Sequence, residues 1–261
     1  MTVRYELADG CARLTLTGAP GNPLDAARLA ALEEAVLRAG RDDARVVVLR
    51  GEGSAFSVGG DLAAMAGAPD PERFVDGLAE TIHRTVCELV RMDAVVVSVV
   101  HGVAAGAGVP LAAAADLVLA GESARFTLAY TKVGLTPDGG STLLTGSLGL
   151  HRALHLALLN PVLTAREAQA AGLVAEVHPD EELDAAAERV VTTLLRGSRT
   201  AQVAAKRLLR DRVEPHPEGA MRLETLAIRA AAAGPDGREG VRAFLDKRRP
   251  VFPSTAHEPP D

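Results

Sequence analysis

The stretch Ala94–Ala120, AVVVSVVHGVAAGAGVPLAAAADLVLA, decides how the rest of the chain is read. It carries no Asp, Glu, Lys or Arg from Ala94 to Ala115, a length that first suggests a membrane span. Its grain argues against one. Val95 to Val100 is β-branched at nearly every position, as in a strand buried on both faces. HGVAAGAG follows, with Gly102, Gly106 and Gly108, and reads as a tight turn with close backbone approach. Val109 to Ala115 is rich in Ala and Leu and helical, with Pro110 acceptable only in the first turn. Asp116 then opens a second extended run, Leu117 to Ala120. A helix leaving a glycine turn presents unpaired N–H groups and a partial positive charge. Such an end can hold a phosphate, or an oxygen that becomes negative during a reaction, or can simply connect strand to helix.

The remaining composition fits one large core or a core with an appendage. The chain has 261 residues, of which 48 % are apolar, enough for a sizeable interior. Aromatics make up only 3 % and Trp is absent, so Ala, Val and Leu must fill that interior. A formal charge of −6 argues against a nucleic-acid surface. Cys11 and Cys87 make no disulfide framework, and no His, Asp or Glu cluster at ligand spacing suggests a metal. MTVRYELADG lacks the basic-then-apolar order of a signal peptide. A cytoplasmic protein with no membrane or nucleic-acid partner is expected.

Arg4–Leu7 and Cys11–Thr17 alternate around Asp9-Gly10, a hairpin signal. Leu24 to Ala39 is an amphipathic helix with Asp25 as its cap. RVVVLR, Arg45–Arg50, is a buried strand. Glu72 to Met92 reads as a long helix. Ala124–Leu128 is short and extended, Ser141–Leu148 and Gly149–Leu159 are helical, and Thr164 caps a helix to Ala171. Val174–His178 is a strand. Glu181–Leu195, Thr200–Arg212 and Glu218–Ala232 are helical, Arg238–Lys247 closes the structured chain, and STAHEPPD is expected to fray. Strands alternating with helices and then helices alone predict an α/β core over 1–195 and a helical region over 196–261.

Three glycine loops, FSVGGDL, HGVAAGAGVPL and GLTPDGGST, each join an extended segment to a helix. Two of them converging would offer two backbone N–H groups to one oxyanion. No Walker lysine follows the glycines, and G-x-G-x-x-G and G-x-S-x-G are both absent, which disfavours nucleotide chemistry and serine hydrolysis.

These segments carry a resemblance. RVVVLRGEGSAFSVGGDL, VVVSVVHGVAAGAGVPLAAAADLVLA, ARFTLAYTKVGLTPDGGSTLL and the closing EGVRAFLDKRRPVF resemble, in order and spacing, the crotonase family of enoyl-CoA hydratases and isomerases, over nearly the whole chain. The resemblance implies a spiral of ββα units with C-terminal helices that build trimers or dimers of trimers. It implies an acyl-CoA thioester substrate, with coenzyme A arriving as part of that substrate and no separate cofactor. The thioester oxygen would face the N–H groups of Gly60 and of Ala107, which stands in the middle of Gly106-Ala107-Gly108. Asn22, Pro23 and Leu24 match a loop that lies along the ADP part of CoA. Ser57, Gly59, Asp61 and Leu62 belong to the first loop. Phe244 and Lys247 match residues that reach CoA, in relatives often across a subunit interface.

The resemblance also shows a departure. Hydratases of the family use two glutamates to hold and activate water. Their positions are Pro110 and Tyr130 here, so both are expected to line the substrate without performing the two-glutamate reaction. Asp138, in TPDGGST, lies where the family's isomerases carry their acidic residue. Its competing role is an N-cap for the helix that follows. The leading expectation is a double-bond isomerase with Asp138 as acid/base. The alternatives are a hydratase or another crotonase lyase or hydrolase reaction, and a CoA-thioester-binding subunit with little activity. Asp61 is expected to cap its helix, His83 to be structural, and His101 to support its turn.

Overall fold

Runs such as VVVLRG and VVVSVV suit strands covered on both faces, and the computed structural model, which describes residues 2–213 and 216–255, places them so. β1 (Val3–Ala8) and β2 (Cys11–Leu16) form the expected hairpin. α1 (Ala26–Arg41) follows, capped by Asp25, whose carboxylate accepts the Arg28 N–H at 2.7 Å. β3 (Val46–Gly51), α2 (Leu62–Gly67), α3 (Pro71–Arg91) and β4 (Val95–Val100) come next. β5 (Val103–Ala105), α4 (Gly108–Ala113), β6 (Leu117–Gly121) and β7 (Arg125–Thr127) complete the middle of the chain. Then come α5 (Leu144–Leu148), α6 (Leu150–Leu159), β8 (Leu163–Thr164), α7 (Ala165–Ala171) and β9 (Glu176–His178). The chain ends in α8 (Leu183–Arg196), α9 (Arg199–Val213), α10 (Pro217–Ala233) and α11 (Pro235–Leu245).

The main sheet has the order β1-β2-β3-β4-β6-β9, antiparallel only at the hairpin. Alternation along the strands divides the core into two layers. Val46 and Val48 of β3, with Val97 and Val99 of β4, face Leu183, Ala187 and Val191 of α8. Val47 and Leu49 face the larger layer, which includes Leu29 and Leu32 of α1 and Ile82, Val86 and Leu89 of α3. No helix among the described residues is long and apolar enough to cross a membrane.

Three expectations need correction. HGVAAGAG is not one continuous turn. Val103–Ala105 is a strand in a second, three-stranded sheet of order β5-β7-β8. Two alanines and a valine between glycines carry no period long enough to mark a strand; the pairing with β7 creates it. α11 begins at Pro235, three residues before Arg238, because Pro fits the first helical turn. The tail expected to fray from Ser254 starts in a 3-10 turn at Pro253–Thr255, where Ser254 N–H donates to Asp236 at 3.0 Å; the rest of that segment lies outside the described residues.

The helical last third packs on the core. Lys206 and Arg210 of α9 reach Asp116 at 2.9 and 3.1 Å, and α10 lies along α3. The loops that leave the C-terminal ends of β3 and β4 meet at one edge of the sheet, the usual place for a ligand in open parallel sheets. Ser57 N–H donates to Val103 O at 3.1 Å and Ala105 N–H to Ser57 O at 2.9 Å, so the two loops are stitched together.

Candidate active site

The stitching sets the approach of the first two glycine loops. A side chain on Gly59 would stand 2.6 Å from Ala105 O and 3.2 Å from Ala107 N, so only glycine lets the loops meet. Gly106 sits at φ +51, in the left-handed region. Ala107 is at φ −61, ψ −14, ordinary for a residue with a Cβ. That explains alanine in the middle of the triplet. Pro110 is the third residue of α4, where the missing N–H costs nothing.

Gly60 and Ala107 line one cavity of about 300 Å³ together with Asp138 and Tyr130. Its walls are mainly apolar, including Leu24, Met65, Leu78, Ile82, Leu128 and Ile228. Among the described residues, neither the Gly60 nor the Ala107 N–H donates to another protein group. Leu62 and Phe244 also line the cavity, Phe244 from a largely exposed position. Asp61 lines it too, but its carboxylate caps α2 by accepting the Ala64 N–H at 2.9 Å.

The other residues singled out from the sequence lie off the cavity. Asn22 is 1 % exposed and its amide donates to Glu52 O at 3.0 Å and Ala55 O at 2.8 Å. Ser57 Oγ donates to Asn22 O at 2.9 Å and accepts the Gly59 N–H at 3.2 Å. Pro23 O accepts from the buried Arg28 guanidinium, which also donates to Thr17 O at 2.6 Å. Pro110 packs behind Gly139, out of the cavity wall. Lys247 is exposed, at φ +53, on the short turn after α11. His101 Nε2 lies 2.9 Å from Gly53 O and joins two loops as expected.

Asp138 is 7 % exposed. The capping role considered for it belongs to another residue. Glu224 of α10 accepts the Gly140 N–H at 2.8 Å and the Thr142 N–H at 2.7 Å, and the Thr142 hydroxyl as well. Asp138 instead faces His83, with Oδ1 at 2.8 Å from Nε2. Oδ1 lies off the line of the ring N–H and has no well-aligned hydrogen-bond partner, so the contact is electrostatic first. Glu224 Oε2 is 3.3 Å from the same nitrogen.

Glu224 is the residue that sequence reasoning missed, and His83, expected to be structural, stands between it and Asp138. A signal existed for Glu224. Met221, Glu224, Thr225 and Ile228 recur at helical spacing and all are buried, so the carboxylate sits on the apolar face of α10. His83 likewise stands in the buried stripe Ala79, Ile82, His83 and Val86 of α3.

Burial alone would push the His83 pKa down, but the two carboxylates beside it, Asp138 and Glu224, outweigh it and raise it to about 9. Tyr130 moves well above its ordinary value, first through burial and then through the same two carboxylates. Its phenol therefore stays protonated, and it donates to Asp138 O at 3.1 Å. No ligand cluster was expected from spacing, yet the fold gathers His83, Asp138 and Glu224 with ligating atoms within 4.8 Å of one another. Glu224 is already spent on two backbone amides and a hydroxyl, so the group is built as a buried ion-pair network.

The enoyl-CoA hydratase/isomerase family model matches residues 6–255. A protein named probable enoyl-CoA hydratase from Rhodobacter capsulatus is 36 % identical over 96 % of this chain and 97 % of its own. A trans-2-decenoyl-[acyl-carrier-protein] isomerase from Streptococcus mutans is 34 % identical over 96 % of this chain and 97 % of its own. The crystal structure of an enoyl-CoA hydratase from Mycobacterium avium subsp. paratuberculosis superposes with a TM-score of 0.88 at 33 % identity, covering 97 % of this chain and 98 % of the other.

The raised His83 pKa makes a pH prediction. The ordinary histidine value of 6.5 stands for the unfolded chain, and about 9 for the folded one. The ion pair's stabilisation is then complete below 6.5 and lost as pH rises through about 9. An NMR titration of the His83 ring should give a midpoint near 9, and urea melts should show stability falling across that window. Asp138→Asn should lower the midpoint, because it removes the nearer carboxylate.

Proposed function

The chain belongs to the enoyl-CoA hydratase/isomerase family, and we propose that within it the chain shifts a carbon–carbon double bond of an acyl-CoA thioester. The observation that carries this reading is one buried carboxylate, Asp138, in the wall of a cavity that also holds two unused N–H groups. Asp138 takes a proton from C2 of a 3-enoyl thioester and returns it at C4. The dienolate between those steps puts its charge on the thioester oxygen, opposite the Gly60 and Ala107 N–H groups. The apolar wall from Met65 to Ile228 takes the acyl group. Phe244 stands at the mouth, and Asn22 and Pro23 shape the loop beside it.

Hydration fits less well. Pro110 has no group that can hold a proton, and the Tyr130 phenol remains protonated and donates to Asp138 O. Among the described residues, Asp138 is then left as the only carboxylate on the cavity that no helix cap occupies.

The exposed apolar side chains support an assembly of trimers or dimers of trimers. Leu150, Leu154 and Leu158 of α6 and Leu208 and Leu209 of α9 are all solvent-facing in the single chain, and a neighbouring copy would cover them. The region 196–261 would then serve both the site and the assembly, and Lys247 would reach CoA bound to a neighbouring copy.

Three outcomes are expected. Asp138→Asn should keep the fold, because Glu224 and not Asp138 holds the 139–142 turn, yet lose isomerisation of a 3-enoyl-CoA by about a hundredfold or more. Near wild-type turnover in that variant removes Asp138 from the chemistry. Ala107→Pro deletes one oxyanion donor at a φ of −61 that proline accepts; it should cost about 3 kcal/mol of transition-state stabilisation, read from kcat/KM. Light scattering of the purified chain should show a trimer or hexamer, and a monomer at micromolar concentration would sink both the assembly and the role of Lys247.

A further inference from the structure

The acyl cavity differs in charge from other recesses of the surface. Among the described residues its wall holds no Lys, Arg or His, and its charged side chains are Asp61 and Asp138. The groove beside the β1–β2 hairpin carries Arg4, Arg13 and Arg50, and the groove between α3 and α10 carries Arg84, Arg91 and Arg222. Acids of the same grooves face those cations: Asp184 lies 2.9 Å from Arg50, and Glu33 lies 2.7 Å from Arg84. The acyl cavity has acids without that balance.

His83, behind the wall, is the cation that pairs with Asp138, and it faces Glu224 as well, at 2.8 and 3.3 Å. One imidazolium between two carboxylates leaves one negative charge over. Asp61 adds another. Its carboxylate accepts the Ala64 N–H at 2.9 Å, and among the described residues no cation pairs with it. The polar hydrogens on the wall are committed: the Tyr130 hydroxyl donates to Asp138 O, and the Gly60 and Ala107 amides serve the thioester oxygen in the proposed reaction. The rest of the wall, from Met65 and Val75 to Leu78 and Ile228, is apolar. An anion placed there has no side-chain donor or cation to meet it and lies close to like charges, which is costly on both counts.

We propose that the cavity selects its substrate by charge: it takes an acyl group that is uncharged to its far end and rejects one that ends in a second carboxylate, with Asp61 as a specificity-determining residue. The proposal deepens the acyl-CoA reading of the cavity and rests on it. Asp61 then has two duties. Its oxygen caps α2, and its charge keeps anions off the wall. Asparagine caps a helix as well as aspartate does, so the cap by itself does not call for an acid at this position. The phosphates of CoA stay outside the mouth, where Phe244 is exposed, and take no part in the selection.

The test reads binding and needs no turnover. Titration calorimetry on the purified chain compares CoA, hexanoyl-CoA, adipoyl-CoA and the methyl ester of adipoyl-CoA. The last two differ little in length, so the ratio of their Kd values reports the charge. Adipoyl-CoA should bind about thirtyfold or more weaker than its methyl ester. Asp61→Asn, which keeps the cap and removes the charge, should shrink that ratio about threefold or more. Leu78→Arg, which brings a cation to the wall from a half-buried position, should shrink it about tenfold or more, and serves if the asparagine variant does not fold. A wild-type ratio near unity overturns the proposal, as does a folded Asp61→Asn variant that keeps the wild-type ratio. Hexanoyl-CoA binding no tighter than CoA itself overturns the acyl-CoA reading of the cavity, and the selection with it. A chain that shows the expected ratios but moves no double bond of 3-hexenoyl-CoA overturns the isomerase reading and leaves the charge selection standing.

Discussion

The site depends on one imidazole placed between two buried carboxylates. Asp138 and Glu224 are 7 % and 4 % exposed, and an unpaired charge in such surroundings is costly enough to be rare. His83 meets that cost for both, at 2.8 and 3.3 Å from a single nitrogen. The consequence is structural before it is chemical. Glu224 then has both oxygens free to hold the backbone of the 139–142 turn, and Asp138 is left facing the cavity. Three elements far apart in sequence are thereby fixed to one another: α3, the third glycine loop and α10. The last third of the chain is for this reason part of the site and not only a helical appendage.

A second constraint acts on the opposite wall. The loops after β3 and β4 carry the Gly60 and Ala107 amides, and their spacing is set by backbone pairing between Ser57 and the strand Val103–Ala105. Asn22 reinforces it from below by holding the 52–56 turn, and Arg28 holds the segment that carries Asn22. These residues act on the shape of the amide pair without touching the cavity. The role proposed for the pair rests on the general advantage of fixed donors, which need no reorganisation when an oxyanion develops.

Much of this was legible in the sequence, for physical reasons. The β-branched runs read as strands covered on both sides, and those in RVVVLR and VVVSVV are the two central ones. Asp25, Asp61 and Thr164 cap helices because each precedes a helical period with a free oxygen. Gly60, Ala107 and Asp138 were read from motif positions and do share a cavity. Of the second sheet only β7 was legible, within the extended Ala124–Leu128; β5 and β8, three and two residues long, exist only through pairing. The partner of Asp138 was not legible either. His83 lies 55 positions before it and Glu224 86 positions after it, and nothing local in either helix names the loop it will meet. What the sequence did contain was a polar residue inside each apolar stripe, and on a buried helix face such a residue needs a partner.

The chemistry proposed for this site turns on how many groups can hold a proton near the thioester. Adding water across a double bond asks for one group to hold and deprotonate the water and for a proton to reach the neighbouring carbon. Moving a double bond asks for one group to take and return a proton. Pro110 supplies none. The Tyr130 hydroxyl is committed to Asp138 O, and its proton is held more tightly than that of a free phenol. Asp61 is committed to the end of α2. Asp138 lines the cavity with a buried oxygen that has no aligned donor, 2.8 Å from His83 Nε2. In the proposed reading, proline and tyrosine at positions 110 and 130 and the placing of His83 and Glu224 around Asp138 belong together. Each fits a site that carries a proton from one carbon of the substrate to another.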